Sequence, residues 1–207
     1  MLLKVCGITY PDNAKAVAEL LPDYMGFIFY KPSKRYCAAT LSPELVKSLP
    51  SSIIKTGVFV DESIEEVLKI SENYGLQAIQ LHGHETPEYC TSIKDRGFHV
   101  IKVFHVGEDI NWLSLEPYIN VSDLFLFDTK TDLYGGSGKS FNWSLLNNYP
   151  YKVPFFLSGG IDESILDKPI QNLVYALDIN SRFETEPGLK NIASIKAFKE
   201  ALKKFNK

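Results

Sequence analysis

A thiol, two carboxyls and an imidazole stand in this chain where apolar runs end. Cys6 closes the run Leu2–Cys6 and precedes Gly7, while Asp128 follows Leu124–Phe127 and precedes Thr129. Gln80 lies in the run Ala78–Leu81 and His82 follows it; Asp178 lies in Val174–Ile179, with Asn180 and Ser181 behind it. A thiol and a carboxyl can divide a proton transfer between them. The thiolate takes a proton from carbon, and the carboxylic acid delivers one to a departing oxygen. That division asks for a carboxyl raised above its ordinary pKa by burial or by a substrate's negative charge. It asks for a thiol lowered by a nearby cation. Lys4, two residues before Cys6, points to the same side of a strand and is expected to be that cation, one layer below the thiol.

Each of these residues also has a plainer explanation. A buried Cys is commonly a small inert hydrophobe, and an Asp-Thr pair is a common cap. Arg35 stands with Lys31, Pro32 and Lys34 after the second apolar run, where a solvated basic turn would look the same. Cys37 and Cys90 lack such a setting and read as packing residues. His82 and His84 form a His-x-His pair, but no third ligand at a sensible spacing accompanies them, so no metal site is assigned.

Two loops look built for an anion. The run Pro154–Leu157 leads into Ser158-Gly159-Gly160, and Val174–Ile179 leads into Asn180-Ser181 and a short turn. Free backbone N–H groups beside glycines, where a ligand can approach closely, suit a phosphate.

The elements that must carry these residues follow a regular rhythm. Eight runs of strand length occur at Leu2–Cys6, Tyr24–Phe29, Ile54–Val60, Ala78–Leu81, Val100–His105, Leu124–Phe127, Pro154–Leu157 and Val174–Ile179. They are rich in Val, Ile, Phe and Tyr and mostly lack alternation, as strands buried on both faces do. Helix-length segments separate them: Pro11–Leu21, Ser42–Leu49, one capped by Asp61 and stopped by Gly75, Thr86–Arg96, Asn142–Asn147 and Leu189–Phe205. The segments after Val106 and Ile161 are shorter. The alternation specifies a parallel α/β sheet, either open and doubly wound or closed as a (β/α)8 TIM barrel. The count of eight favours the barrel. So do the polar residues after strand ends all along the chain, because a barrel gathers those ends on one face. An open sheet would gather them mainly at one switch point. The phosphate loops then follow strands seven and eight, where barrels commonly bind phosphate.

No Pro-, Gly- or Ser-rich linker divides the chain, so residues 1–207 read as one barrel domain. A net charge of −3 leaves no basic excess for binding nucleic acid. No apolar stretch approaches membrane-spanning length and no signal peptide is evident. Three cysteines do not make a disulfide framework, so a reducing, cytoplasmic location is expected.

In order along the chain stand KVCGIT, SKRY, GVFV, QLHG, FDT, YGGSGKSFNW, LSGGI and PGLKN. This ordered set resembles the phosphoribosylanthranilate isomerase family of tryptophan biosynthesis over nearly the whole chain. The resemblance implies a (β/α)8 barrel without metal or organic cofactor. It also implies an Amadori rearrangement in which the ring-closed ribosylamine opens and tautomerises to an aminodeoxyribulose phosphate. Asp128 would be the acid and Cys6 the base, with Arg35 on the anthranilate carboxylate. Gln80, His82, Gly159, Gly160, Asp178, Asn180 and Ser181 would line the substrate site, and Gly138, with Gly135 and Gly136, would belong to a closing loop. The partner is the small-molecule substrate, and a monomer is favoured. Two departures stand out. Asn180-Ser181-Arg182 replaces an expected Ser-Ser-Gly, which puts Arg182 near the phosphate or turned outward, and Asn142 in FNW stands where Asp is usual. A bifunctional histidine–tryptophan isomerase would carry an aspartate at the first strand tip in place of Cys6. A ribulose-phosphate epimerase would need metal ligands. A non-catalytic phosphate-binding barrel would have no use for Cys6 and Asp128.

Overall fold

A computed structural model describes residues 1–129, 142–168 and 174–205. Gly135, Gly136 and Gly138, expected in the closing loop, lie outside the described residues. Eight parallel strands form a closed barrel: β1 (Leu2–Cys6), β2 (Tyr24–Ile28), β3 (Ile54–Phe59), β4 (Ala78–Leu81), β5 (His99–Val106), β6 (Leu124–Thr129), β7 (Phe155–Leu157) and β8 (Val174–Ile179). The pairing of β1 with β8, Lys4 opposite Asp178, is the closure an open sheet lacks.

Among the described residues five α-helices return the chain: α1 (Pro11–Glu19), α2 (Pro43–Ser48), α3 (Ile64–Tyr74), α4 (Pro87–Lys94) and α5 (Ile192–Phe205). Ser42, Ser63 and Thr86 cap α2, α3 and α4 by accepting from the amides of Leu45, Glu66 and Tyr89. The cap of α3 is therefore Ser63 and not Asp61. Asp61 has a positive φ of 48°, and its carboxylate accepts from the backbone N–H of His84 instead. After β5, after β6 and after β7 the described returns are 3₁₀ segments, Trp112–Tyr118, Trp143–Asn148 and Glu163–Asp167. The middle one takes the place of the helix expected at Asn142–Asn147. In each, an Asn or Asp side chain (Asn111, Asn142, Asp162) accepts from the amide two residues on. Such local bonds favour a tight turn over a longer helix. The helix expected from Leu189 begins at Ile192, because Leu189–Lys190 pairs antiparallel with Glu184–Glu186 in a small hairpin.

Tyr24, Ala78, Ile101, Val103, Leu124, Leu126, Phe156 and Ala176 fill the barrel interior. Alternate strands supply such layers, so the barrel is a packed core and not a pore. A larger apolar layer lies between the strands and the helices. Against the interior plug three polar side chains are buried, Lys4, Gln80 and Asp178, with the Lys4 ammonium 5.8 Å from the centre of the Phe156 ring. Outside the strands, the buried pair Lys102–Glu85 (2.8 Å) ties down the loops that hold the mouth. Glu85 accepts from the amides of Asp61 and Gly83, and Lys102 donates to the Gly83 carbonyl at 2.7 Å.

Candidate active site

Cys6 and Asp128 sit at the tips of β1 and β6. Cys6 is buried, and its register partner on β2 is Gly26. A Cβ on Gly26 would lie 2.6 Å from the Cys6 Sγ, so the glycine is what gives the thiol its room. Asp128 stands beside His105 in the β5–β6 register, and its Oδ1 accepts from the Thr129 amide at 2.8 Å. Gly159, at φ +83°, presses on the same spot. A Cβ there would lie 2.1 Å from Thr129 Oγ1 and 3.1 Å from Asp128 Oδ1. The Gly-Gly turn after β7 therefore serves the carboxyl as well as any anion, and Gly160 also has a positive φ, 67°.

A line of polar contacts crosses the barrel below these two groups. Asp178 Oδ2 and Gln80 Oε1 both accept from the Lys4 ammonium, at 3.0 and 2.5 Å. Gln80 Nε2 meets His82 Nδ1 at 3.0 Å, and His82 Nε2 faces Asp128 Oδ2 at 3.6 Å. Three of the residues expected at the site, Gln80, His82 and Asp178, thus lie on one chain of contacts to Asp128, with Lys4 linking Asp178 to Gln80.

Burial pushes the Asp128 carboxyl up to about 6, against the pull of the Thr129 amide. The thiol behaves differently from the sequence expectation. Burial raises Cys6, and the Lys4 and Lys190 ammoniums offset this only in part. Burial also acts against the Lys4 charge, but the Asp178 carboxylate and the Cys6 sulfur together outweigh it and leave the lysine's pKa raised. The expected cation is therefore in place, but it does not overcome desolvation of the thiolate.

A second buried network flanks the first. Arg35 is no solvated turn cation. Its Nε and Nη2 grip the Glu184 carboxylate at 2.9 and 2.6 Å, and both side chains are largely buried. Lys190, fully enclosed, donates to Glu184 and to Asn180 Oδ1, each at 2.7 Å. Asn180, expected to line the substrate site, thus turns its oxygen to a lysine. Ser181 opens a 3₁₀ turn of three residues. Arg182 pairs with Asp162, which joins the loop after β8 to the one after β7. Lys190, Glu184, His105 and Gly26 were not singled out from the sequence. Lys190 falls inside PGLKN, which was the available signal; the others depend on contacts between distant strands.

One ligand atom each from His82, His105 and Asp128 lies within 4.8 Å of the others. This trio differs from the His82–His84 pair visible in the sequence, since His84 turns away to Asp61.

The site belongs to a closed (β/α)8 barrel that carries a thiol and a raised carboxyl at two strand tips on one mouth. The family model described as N-(5'phosphoribosyl)anthranilate (PRA) isomerase matches residues 3–201, and the chain belongs to that family. An N-(5'-phosphoribosyl)anthranilate isomerase of Phocaeicola vulgatus is 44% identical over 206 residues, covering 98% of each chain. Among solved structures, a phosphoribosyl anthranilate isomerase in complex with reduced 1-(o-carboxyphenylamino)-1-deoxyribulose 5-phosphate superposes with a TM-score of 0.78 at 34% identity, covering 99% of this chain and 100% of that one. Monomers made from the dimeric enzyme of Thermotoga maritima superpose at 0.79 with 32% identity, covering 98% and 99%.

Proposed function

We propose that two strand-tip groups carry the isomerisation of N-(5'-phosphoribosyl)anthranilate in this enzyme of tryptophan biosynthesis, Asp128 as general acid and Cys6 as general base. In the first step the anilino nitrogen pushes its lone pair toward the anomeric carbon. The bond to the ring oxygen breaks, and that oxygen takes the Asp128 proton. In the second step the Cys6 thiolate removes the C2 proton, and the electron pair neutralises the iminium to give an enolamine. Tautomerisation then yields the ketose. Each step is a proton transfer, so neither calls for a cofactor. The single observation that supports this reading best is the raised Asp128 carboxyl, held at a barrel mouth that also presents a buried thiol between two ammoniums.

Both pKa shifts bear on how the pair works. In the resting enzyme near neutral pH the carboxyl is largely ionised and the thiol protonated. The reactive arrangement moves one proton from Cys6 to Asp128. A substrate charge that lies nearer the carboxyl than the thiol favours the move, since negative charge raises the closer of the two acids more.

Arg35 is proposed for the anthranilate carboxylate through its end-on edge. Glu184 occupies the side-on pair, Nε and Nη2, and leaves Nη1 with the second Nη2 hydrogen as a fork. Asp178 Oδ1, buried without a hydrogen-bond partner among the described residues, is proposed to accept from a sugar hydroxyl. Phosphate is assigned to the Gly159-Gly160 and Ser181 loops, with Gly138 of the loop after β6 as a further contact. A cytoplasmic location fits a biosynthetic enzyme whose three cysteines are free and buried. Among the described residues no helix is long and apolar enough to cross a membrane. A monomer is proposed, because among the described residues the large exposed apolar side chains are Tyr10 and Leu21 at opposite ends of α1 and Leu113 in the 3₁₀ segment after β5.

Turnover followed by the fluorescence of freshly made phosphoribosylanthranilate tests the roles. Cys6→Ser should fold and lose about 10²–10⁴ in rate, because a hydroxyl is a far poorer base than a thiolate. Asp128→Asn should lower kcat heavily with little change in KM, as expected when only the transition state loses a contact. Near-normal turnover in either variant, or an effect of Asp128→Asn confined to KM, would remove that residue from its role.

A further inference from the structure

The buried chain from Lys4 to Asp128 has a direction that follows from which groups can donate. A lysine ammonium has only hydrogens to offer, so the Gln80 atom that meets it at 2.5 Å is the carbonyl oxygen. The Gln80 amide nitrogen is then the atom facing His82 Nδ1 at 3.0 Å. That nitrogen donates, so Nδ1 must be the bare, accepting nitrogen of the ring. His82 is neutral near physiological pH, because burial, with His105, Lys4 and Lys102 around it, holds its imidazole down to about 3. A neutral ring with a bare Nδ1 carries its hydrogen on Nε2. Among the described residues this Nε2 is buried without a hydrogen-bond partner, and it faces Asp128 Oδ2 at 3.6 Å. A buried donor left without an acceptor is costly and calls for an explanation.

We propose that Lys4 and Gln80 are positioning residues that lock His82 in its Nε2–H form, so that His82 donates to the Asp128 carboxylate once the acid has delivered its proton. The inference rests on Asp128 being the acid. The donor is matched to the carboxylate, whose charge is lost when the reactive form takes up the proton and returns as the acid delivers it. Its hydrogen bond stabilises the conjugate base and so makes Asp128 the stronger acid. The opposite tautomer would aim a lone pair at the carboxyl and hold the proton back. The same hydrogen occupies the nitrogen that the trio with His105 would need for a metal ion. Among the described residues, the charged or titratable groups around the pair are His105 and Lys102 from β5, Lys4 from β1 and Asp178 from β8. The Thr129 amide already fills Oδ1.

Side-chain nitrogen NMR of the resting, histidine-labelled wild type reads the tautomer directly and needs no variant. The expected pattern is a protonated Nε2 and a bare Nδ1 near neutral pH; a protonated Nδ1 or an imidazolium would overturn the lock. Gln80→Glu places an acceptor opposite Nδ1 and should draw the hydrogen there. Its kcat should fall about tenfold with KM nearly unchanged, and the low-pH limb of kcat/KM should move up by about one pH unit. Gln80→Leu, which adds no charge, should mix the tautomers and move the limb the same way by less. A wholly Nε2–H ring in Gln80→Leu would show that Gln80 does not set the tautomer. A reversed ring in Gln80→Glu with kcat and limb unmoved would show that Asp128 is not its target. A failure of the acid assignment itself shows separately, as retained turnover in Asp128→Asn.

Discussion

The Cys6 thiol needs both a charge and a space, and the two come from different strands. Lys4 on its own strand and Lys190 from the hairpin after β8 supply positive charge, while Gly26 on β2 supplies the space. Gly26→Ala would put a methyl 2.6 Å from Sγ and 3.1 Å from the Cys6 Cα and Cβ. The strand has no room to absorb this without moving the base. Displacement of a catalytic group by about 1 Å can cost on the order of 10²-fold in rate. Steady-state kinetics of Gly26→Ala should show kcat/KM down by at least about tenfold, with circular dichroism still that of a folded barrel. An unchanged kcat/KM would mean the thiol need not sit where it does. Cys6 and Asp128 stand out in the sequence as polar residues at the ends of apolar runs, and the roles of base and acid are what the family resemblance implies for them. The environment that sets their pKa values is not legible there. The sequence shows Lys4 two residues from Cys6, but whether that cation or burial prevails depends on how dry the barrel mouth is.

At the scale of elements, the strands were legible nearly to the residue. β1, β4 and β8 fall where their apolar runs lie, and β6 runs two residues further to include Asp128 and Thr129. Runs buried on both faces carry a strong signal because both faces exclude polar residues. The returning segments were less legible. Their character turns on local side-chain bonds, as where Asn142 caps a 3₁₀ turn in place of starting a helix, or on pairing between loops. The hairpin joining Glu184–Glu186 to Leu189–Lys190 is the telling case. In sequence it looks like the start of α5. In the fold it brings Lys190 back toward Cys6 and Glu184 onto Arg35, and so builds half of the site's electrostatics. Arg35 was legible as a cation but not as one already bound to a carboxylate, since its partner lies 149 residues away.

For the whole molecule, the raised carboxyl is a cost to stability. Asp128 titrates near 6 in the fold against an ordinary 3.8, so the folded state holds its proton more tightly than the unfolded chain does. Its favourable contribution is complete below the ordinary value and is lost as pH rises through about 6. The difference of roughly two pH units corresponds to at most about 3 kcal/mol. Asp128→Asn carries no such burden. Thermal melts across pH should show the variant and the wild type alike in acid and the variant more stable above pH of about 6. Equal melting temperatures throughout would mean that the carboxyl is not raised.

The central claim is that Asp128 and Cys6 share one proton in the resting enzyme, with the carboxyl as acid and the thiol as base. The pH dependence of kcat/KM for the wild type tests it most directly, because that ratio reports the free enzyme. The reactive form, acid protonated and base ionised, holds the same number of protons as the resting form. Its share of the enzyme therefore rises as pH passes the Asp128 value, stays level, and falls only above the raised Cys6 value. The account predicts a kcat/KM that climbs through about 6 and remains high beyond the ordinary range of a free thiol. A kcat/KM that instead falls as pH passes through about 6 would contradict it.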